Sequence, residues 1–507
     1  MSAPILALLA TVAQARVDFE GESFYLGDLH AHTGISHDGG SSDLGACQGA
    51  CGAFAEVFDI ARDNSLDFVS LTEHVNGTWA ATTEEFGAEL EAIFAEGAAA
   101  GGLVILPGAE LWFDVGGTGM GHKNLYLRAS DAELAGLSVE DVRPNGPDPV
   151  VSDCAAIWDF AEQVEARWGP ALLIPHHPAM PAGMGTEWAC HRDERAEHFA
   201  PTVEVYSRHG NSEMCEPAFD PVWQPCDPLK AITAALDAGG NALHLGFLGG
   251  TDEHDTHPGG VCERETQMVQ HPYGGGLTIA VLDEGATFDR AALFDAIAAR
   301  STYATSGPLL PVVVTFRTGG AEIGGLGQDL PVPEGDDLEV EVRLPSEHLA
   351  AVRRVVMVDP KEELELTSQG GGRFLGVLSG ETRLAWVYVR VELDGEVWYG
   401  AGGCDDGGDD AQEYVWLSPS WLVLPEPDTG VVDDTGTHDS GGPLDSGDSG
   451  GDSTAPGDTQ SPCPCEDDCD CHCECTCEER GCGLLGVSGL FALALTGLPL
   501  AFGRRRG

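Results

Sequence analysis

Metal-ligand side chains close one apolar run after another in this 507-residue chain. Phe24–Leu29 leads into His30-Ala31-His32 and then His37-Asp38, and Phe68–Leu71 leads into Thr72-Glu73-His74. Leu103–Leu106 passes through Pro107-Gly108 to Glu110, and His122 stands just before Asn124–Leu127. Leu172–Ile174 precedes His176-His177-Pro178, Val203-Glu204-Val205-Tyr206 follows, and Leu245–Leu248 runs into Gly249-Gly250-Thr251-Asp252-Glu253-His254. On an extended segment residues i and i+2 share a face, so His30 with His32, and Asp252 with His254, can each reach a single ion. A carboxylate such as Glu110 can bridge two ions, which an imidazole cannot. Taken singly, an H-x-H pair is a weak signal and a lone His122 reads equally as a satisfied core histidine. The serial pattern argues otherwise, because each buried polar group costs free energy unless it is paired or coordinated.

The elements that would position these groups follow from the alternation of short β-like runs with Ala-rich stretches such as Phe54–Arg62, Thr83–Ala100 and Ala155–Trp168. Over residues 16–308 this predicts an α/β fold with a mostly parallel sheet, closed as a (β/α) barrel with its site at the C-terminal strand ends. From 309 to 425 the runs Val312–Phe316, Leu338–Leu344, Val352–Val358 and Trp386–Leu393 have strand composition, which predicts a small all-β sandwich. Residues 426–482 read as a disordered, acidic, Cys-containing linker. Its alternating cysteines read either as a metal-binding tract or as a disulfide-bonded surface stalk.

Composition narrows the functional classes. The formal net charge is -58, with 25 basic residues against 83 acidic ones. Such a surface repels phosphate backbones, so nucleic-acid binding is not expected. Sixteen cysteines suit an oxidising compartment. Residues 1–15 end in Ala13-Gln14-Ala15 and resemble a signal peptide. The apolar segment 483–503 is long enough for a transmembrane or sorting helix, and the basic tail 504–507 would lie in the cytoplasm. The expected location is therefore the cell surface, with release after processing as the alternative.

Together, Asp28-Leu29-His30-Ala31-His32-Thr33, Asp38-Gly39, Thr72-Glu73-His74, Pro107-Gly108-Ala109-Glu110, Pro175-His176-His177-Pro178, Val203-Glu204-Val205-Tyr206 and Gly250-Thr251-Asp252-Glu253-His254 resemble the PHP (polymerase and histidinol phosphatase) metallohydrolases, especially large bacterial PHP-like members with an appended β domain. The resemblance covers roughly residues 24–308. It implies a distorted seven-stranded barrel, a (β/α)7 fold, holding two or three Zn, Mn or Fe ions. One ion would take His30, His32, Glu110 and Asp252. A second would share Glu110 and take His122 with His177, His176 being the competitor. A third would take Asp38 (or His37), His74 and His254. Thr-Glu-His stands where the family more usually has Thr-Asp-His, so Glu73 would orient His74 rather than touch metal.

The expected function is hydrolysis of a small-molecule phosphate ester by metal-activated water, with Glu110, Asp252 and His254 handling metal and proton. Arg208 could clamp the phosphate, and Arg192 and Arg195 are further candidates, although surface ion pairing is the favoured reading of all three. His209, Asn211 and Glu213 could shape the pocket. Two other classes fit the same residues: a metal-dependent hydrolase of an amide, lactone or carboxylic ester, and a surface-displayed binding protein with structural metal. A Ser nucleophile elbow and a Walker loop are both missing from the sequence.

Overall fold

The computed structural model describes residues 16–36, 54–77, 80–97, 102–115, 118–143, 150–181, 183–215, 226–237, 243–254, 256–260, 275–307, 309–380, 385–394 and 412–424. The signal segment 1–15, His37, Asp38, the acidic linker 426–482, the apolar segment 483–503 and the tail 504–507 lie outside them.

The strand Glu22–Ala31 is buried at every position but the first, because it is covered on both faces. It pairs in parallel with Phe68–Leu71 and antiparallel with Leu277–Asp283. Gly27 is required there: a Cβ would stand 2.3 Å from the Phe68 ring. These strands belong to a 12-stranded sheet of mixed direction, which continues through Thr302–Thr305 into Gln412–Leu417, Trp386–Asp394 and Ser420–Val423. A four-stranded sheet holds the hairpin Gly108–Val115 and Thr118–Leu127, flanked by Val150–Val151 and Ala171–Pro175. A three-stranded sheet pairs Thr202–Ser207 with Gly246–Gly249 and with Gly210–Asn211.

The expected (β/α)7 barrel is therefore corrected. The site strands are divided among three sheets of mixed direction, and the described residues contain six α-helices. Apolar run composition does not encode strand direction: Val104–Ile105 pairs in parallel with Phe68–Leu71, while Glu110 and His122 lie on one antiparallel hairpin. Isolated bridges, Ala31 to Glu253 and His74 to Glu110, join the sheets where the ligands stand. The separate β-sandwich is corrected as well. Strands after Leu309 are numerous, but Gln412–Leu417 adds directly to Thr302–Thr305. One core cluster mixes Phe24, Ile279 and Tyr303 with Phe316, Val340 and Val389. Contacts place all the described residues in one unit. Among the described residues no helix is long and apolar enough to cross a membrane.

Helix ends follow local chemistry. Asp153 caps Cys154–Trp168 by accepting from the Ala156 N–H, and Asp289 caps Arg290–Ala298 through Ala292. Disulfides join Cys154 to Cys190 and Cys215 to Cys226.

A further, five-stranded sheet pairs Leu338–Arg343 with Val313–Thr318 and Arg373–Leu378. On it Arg317, Arg343 and Arg373 converge on the buried carboxylate of Glu341 at 2.8–3.0 Å. Hydrogen bonds from Arg373, opposed by burial and joined by Arg343, draw its pKa from the usual 4.5 to about 2. The folded value lies below the unfolded one. The stabilisation is therefore complete above pH 4.5 and is lost as pH falls toward 2. Glu341→Gln should lower the melting temperature by a few degrees above pH 5 and narrow the gap to wild type toward pH 2. Parallel melting curves over that range would contradict this assignment.

Candidate metal centre

Backbone pairing brings the two distant dipeptide motifs together. The His32 N–H donates to the Glu253 carbonyl at 2.8 Å, and the Asp252 N–H donates to the His30 carbonyl at 2.6 Å. Buried Asp28 accepts from the N–H groups of His30, Thr251 and Gly259 and from the Thr251 hydroxyl, fixing the loop behind them. On the other side, the Glu110 N–H donates to the Glu73 carbonyl and the Val75 N–H to the Glu110 carbonyl. In the hairpin Trp112 stands opposite His122, and strand alternation puts Glu110 on the same face as both.

The result is a buried cluster in which ligand atoms face one another. His30 Nε2 lies 3.2 Å from His32 Nε2, 3.2 Å from Glu110 Oε2 and 3.4 Å from Asp252 Oδ1. His32 Nε2 lies 3.1 Å from Glu110 Oε2 and 3.5 Å from Asp252 Oδ1. Ligand bonds of about 2.0–2.1 Å in a tetrahedron require edges of about 3.3 Å, and five of this set's six edges match that spacing. Glu110 turns its other oxygen to a second group: Oε1 lies 3.0 Å from His122 Nδ1, 3.4 Å from His74 Nδ1 and 3.5 Å from His176 Nε2. His122, His176 and His177 place donor atoms within ligand reach of one another, as do His32, His74 and His254. His30 does the same with His176 and Glu204, and His177 with His209 and Asp252. These buried His, Glu and Asp groups could hold metal.

Three imidazoles are aimed by what occupies their Nδ1. His30 Nδ1 meets Glu204 Oε2 at 2.7 Å, His32 Nδ1 meets Ser36 Oγ at 3.1 Å, and His254 Nδ1 donates to the Asp252 carbonyl at 3.0 Å. Each leaves Nε2 turned into the cluster, the arrangement by which outer partners set a ligand's tautomer. Glu73 acts one step further out: it accepts from the Thr33 N–H and from both the N–H and hydroxyl of Ser36. Trp112 donates from Nε1 to Glu110 Oε1 at 2.6 Å, and Asn76 pins its backbone through two 2.9 Å bonds.

The electrostatics divide the histidines. Burial opposes a charge on His30, but Asp252 and Glu204 outweigh it and raise its pKa well above the ordinary value. Burial lowers His176 to about 3 and His177 well below the usual range, where neighbouring imidazoles push it further. Burial disfavours charge on Glu110 too, but His74 and His176 overcome it and hold the carboxyl well down. The cluster therefore offers ionised Glu110 and Asp252 beside neutral His176 and His177, with His30 favouring its protonated form. The ring nitrogens of His176, and Nδ1 of His177, are buried with no hydrogen bond among the described residues. Uncoordinated, such groups are costly; as ligands they are satisfied. The donor set fits divalent ions.

The structure thus gathers His30, His32, His74, Glu110, His122, His176, His177, Asp252 and His254 in one place. Arg208 joins them: its Nη1 donates to Glu253 Oε1 at 3.1 Å and lies 3.5 Å from His254 Nδ1. Arg195 is engaged by Asp159, Glu162 and Asp193 at the surface. Arg192 lines a cleft with Leu243, Trp421 and Val423 instead. In the sequence Glu204 stands within a motif of the ligand series but is assigned to no ion, and His209 figures only as a group that could shape the pocket. A glutamate in the middle of the fully buried strand Thr202–Ser207 was the available signal for the first. His209 reaches Asp252 Oδ2 at 3.0 Å, from a turn with no local pattern to mark it.

No family model matches the chain, and no curated protein sequence does. Among solved structures, a Cellulomonas fimi endo-beta-1,4-mannanase double mutant aligns with TM-score 0.19 and 10% identity, over 73% of this chain and 92% of that one. A likeness of that size carries no argument about fold or activity.

Proposed function

We propose that the chain is a metal-dependent hydrolase of phosphate esters, related through its ligand motifs to the PHP family. The observation that carries the reading is the His30, His32, Glu110 and Asp252 set, whose ligand atoms stand at the edges of a metal polyhedron. Bound divalent ions, two or three of Zn, Mn or Fe, would neutralise ester oxygens and lower the pKa of water. Glu110 spans two ligand groups through its separate oxygens and fixes their spacing. Asp252 and His254 take and return the proton, the latter held by the Asp252 carbonyl. Arg208, almost wholly buried beside His254, binds and orients an anionic group, which favours a phosphoester over a neutral substrate. Two disulfides support an exported protein, displayed at the cell surface by its C-terminal segment or released from it.

The test is a panel of p-nitrophenyl phosphate, bis(p-nitrophenyl) phosphate and simple lactones, run on the full chain with Mn or Zn and again in excess chelator. Phosphoester turnover that chelation abolishes and metal restores is the expected result. Full activity in chelator sinks the proposal, and metal-dependent lactone turnover alone replaces phosphoesters with carbon-centred substrates.

A further inference from the structure

Arg208 and His209 are the two residues at the tip of a tight antiparallel turn: Ser207 pairs with Gly210, and Tyr206 with Asn211. Gly210 adopts φ +100°, a conformation glycine takes at no steric cost. Three residues past that glycine, Glu213 is buried completely, and its carboxylate is held by the strand-rich half of the chain. Oε1 accepts from Tyr388 and from Arg390 Nη1, the latter at 2.6 Å, and Oε2 accepts from Trp416 Nε1 at 2.7 Å. Arg390 is itself fully buried and donates on to Glu363 and Glu392. The Glu213 N–H donates to Asn211 Oδ1 at 2.7 Å, and its carbonyl accepts from Thr233, so backbone and side chain are fixed together.

We infer that this is how the strands Trp386–Asp394 and Gln412–Leu417 serve the site: Glu213 and Arg390 are positioning residues for His209 and Arg208. The inference rests on the metal reading above. A buried carboxylate with three donors has one low-energy position, and the short rigid limb Gly210–Glu213 carries that position to the tip. There it sets His209 Nε2 against Asp252 Oδ2 and within ligand reach of His177, and sets Arg208 against Glu253. Val389 and Val391 on the same strand pack into one core cluster, and Arg390 stands on the other face with Trp386 and Tyr388.

Cobalt(II) loading of the full chain tests this through visible d–d absorption, which reports the ligand set whether or not a substrate is known. Glu213→Gln keeps the side chain's shape and removes its charge, while Trp416→Phe removes one donor with the charge intact. Both should shift the cobalt spectrum in the direction His209→Ala does, Trp416→Phe less. Glu213→Gln added to His209→Ala should change it no further. A lowered melting temperature with wild-type cobalt spectra in Glu213→Gln and Trp416→Phe would reduce the cluster to a structural role and overturn the inference. A His209→Ala spectrum equal to wild type overturns it too. Wild-type protein that takes up no cobalt removes the metal reading itself, a different failure, and this inference falls with it.

Discussion

Asp252→Asn should strip the protein of at least one metal equivalent and abolish turnover while leaving the fold in place. Asp252 Oδ1 lies within 3.5 Å of both His30 Nε2 and His32 Nε2, and its other oxygen faces His209. The residue adopts φ +53°, a left-handed conformation that asparagine tolerates as readily as aspartate. The amide therefore keeps volume and backbone and loses the negative charge. Removing an outer partner of a metal ligand costs about 10–100-fold, so losing a direct ligand should exceed that range. His32→Ala removes a different member of the same set and should match it. Metal analysis, turnover and far-ultraviolet circular dichroism on the same samples decide the matter. Undiminished turnover in both variants, with normal folding, would contradict the site.

How far these ligands could be read without coordinates depends on the kind of signal each left. His30, His32, Glu110 and Asp252 were legible because each follows an apolar run that has no other reason to end in a ligand. Strand direction was not. In the sequence Leu103–Leu106 reads as the run that carries Glu110 and Asn124–Leu127 as the one after His122, whereas Glu110 and His122 stand on the paired strands Gly108–Val115 and Thr118–Leu127, separated by Gly116-Gly117, a two-residue hairpin signal. That turn accounts for much of the error in the barrel expectation, because it places Glu110 and His122 on neighbouring antiparallel strands rather than successive parallel ones. The Glu213 clamp lay beyond reach for a different reason: its partners Tyr388, Arg390 and Trp416 stand 175–203 residues away, and no local pattern links them. Glu73 was read as a residue that orients His74. Its carboxylate holds Ser36, whose hydroxyl in turn accepts from the His74 N–H and meets His32 Nδ1.

Metal removal should lower stability by a measurable margin, and the sign follows from what the cluster leaves unsatisfied. Stripped of ions, it holds buried histidine nitrogens without hydrogen bonds and two carboxylates, Glu110 and Asp252, whose charge is balanced only by neighbouring imidazoles. An ion that binds the folded chain and not the unfolded one stabilises by RT ln(1 + [L]/Kd), about 4 kcal/mol at a thousandfold excess over Kd. For a folded unit of this size that corresponds to a rise of about 5–10 °C in melting temperature. Calorimetry of chelator-treated protein, before and after adding Zn or Mn, should show that increment saturating with metal. Asp252→Asn should lose most of it and, without metal, melt somewhat below the wild-type apoprotein, because the buried His30 and His209 imidazoles lose a charge that balances them. A melting temperature indifferent to metal up to millimolar concentration would mean that the paired imidazoles and carboxylates satisfy one another, and that the spacing of His30, His32, Glu110 and Asp252 has no ion to explain.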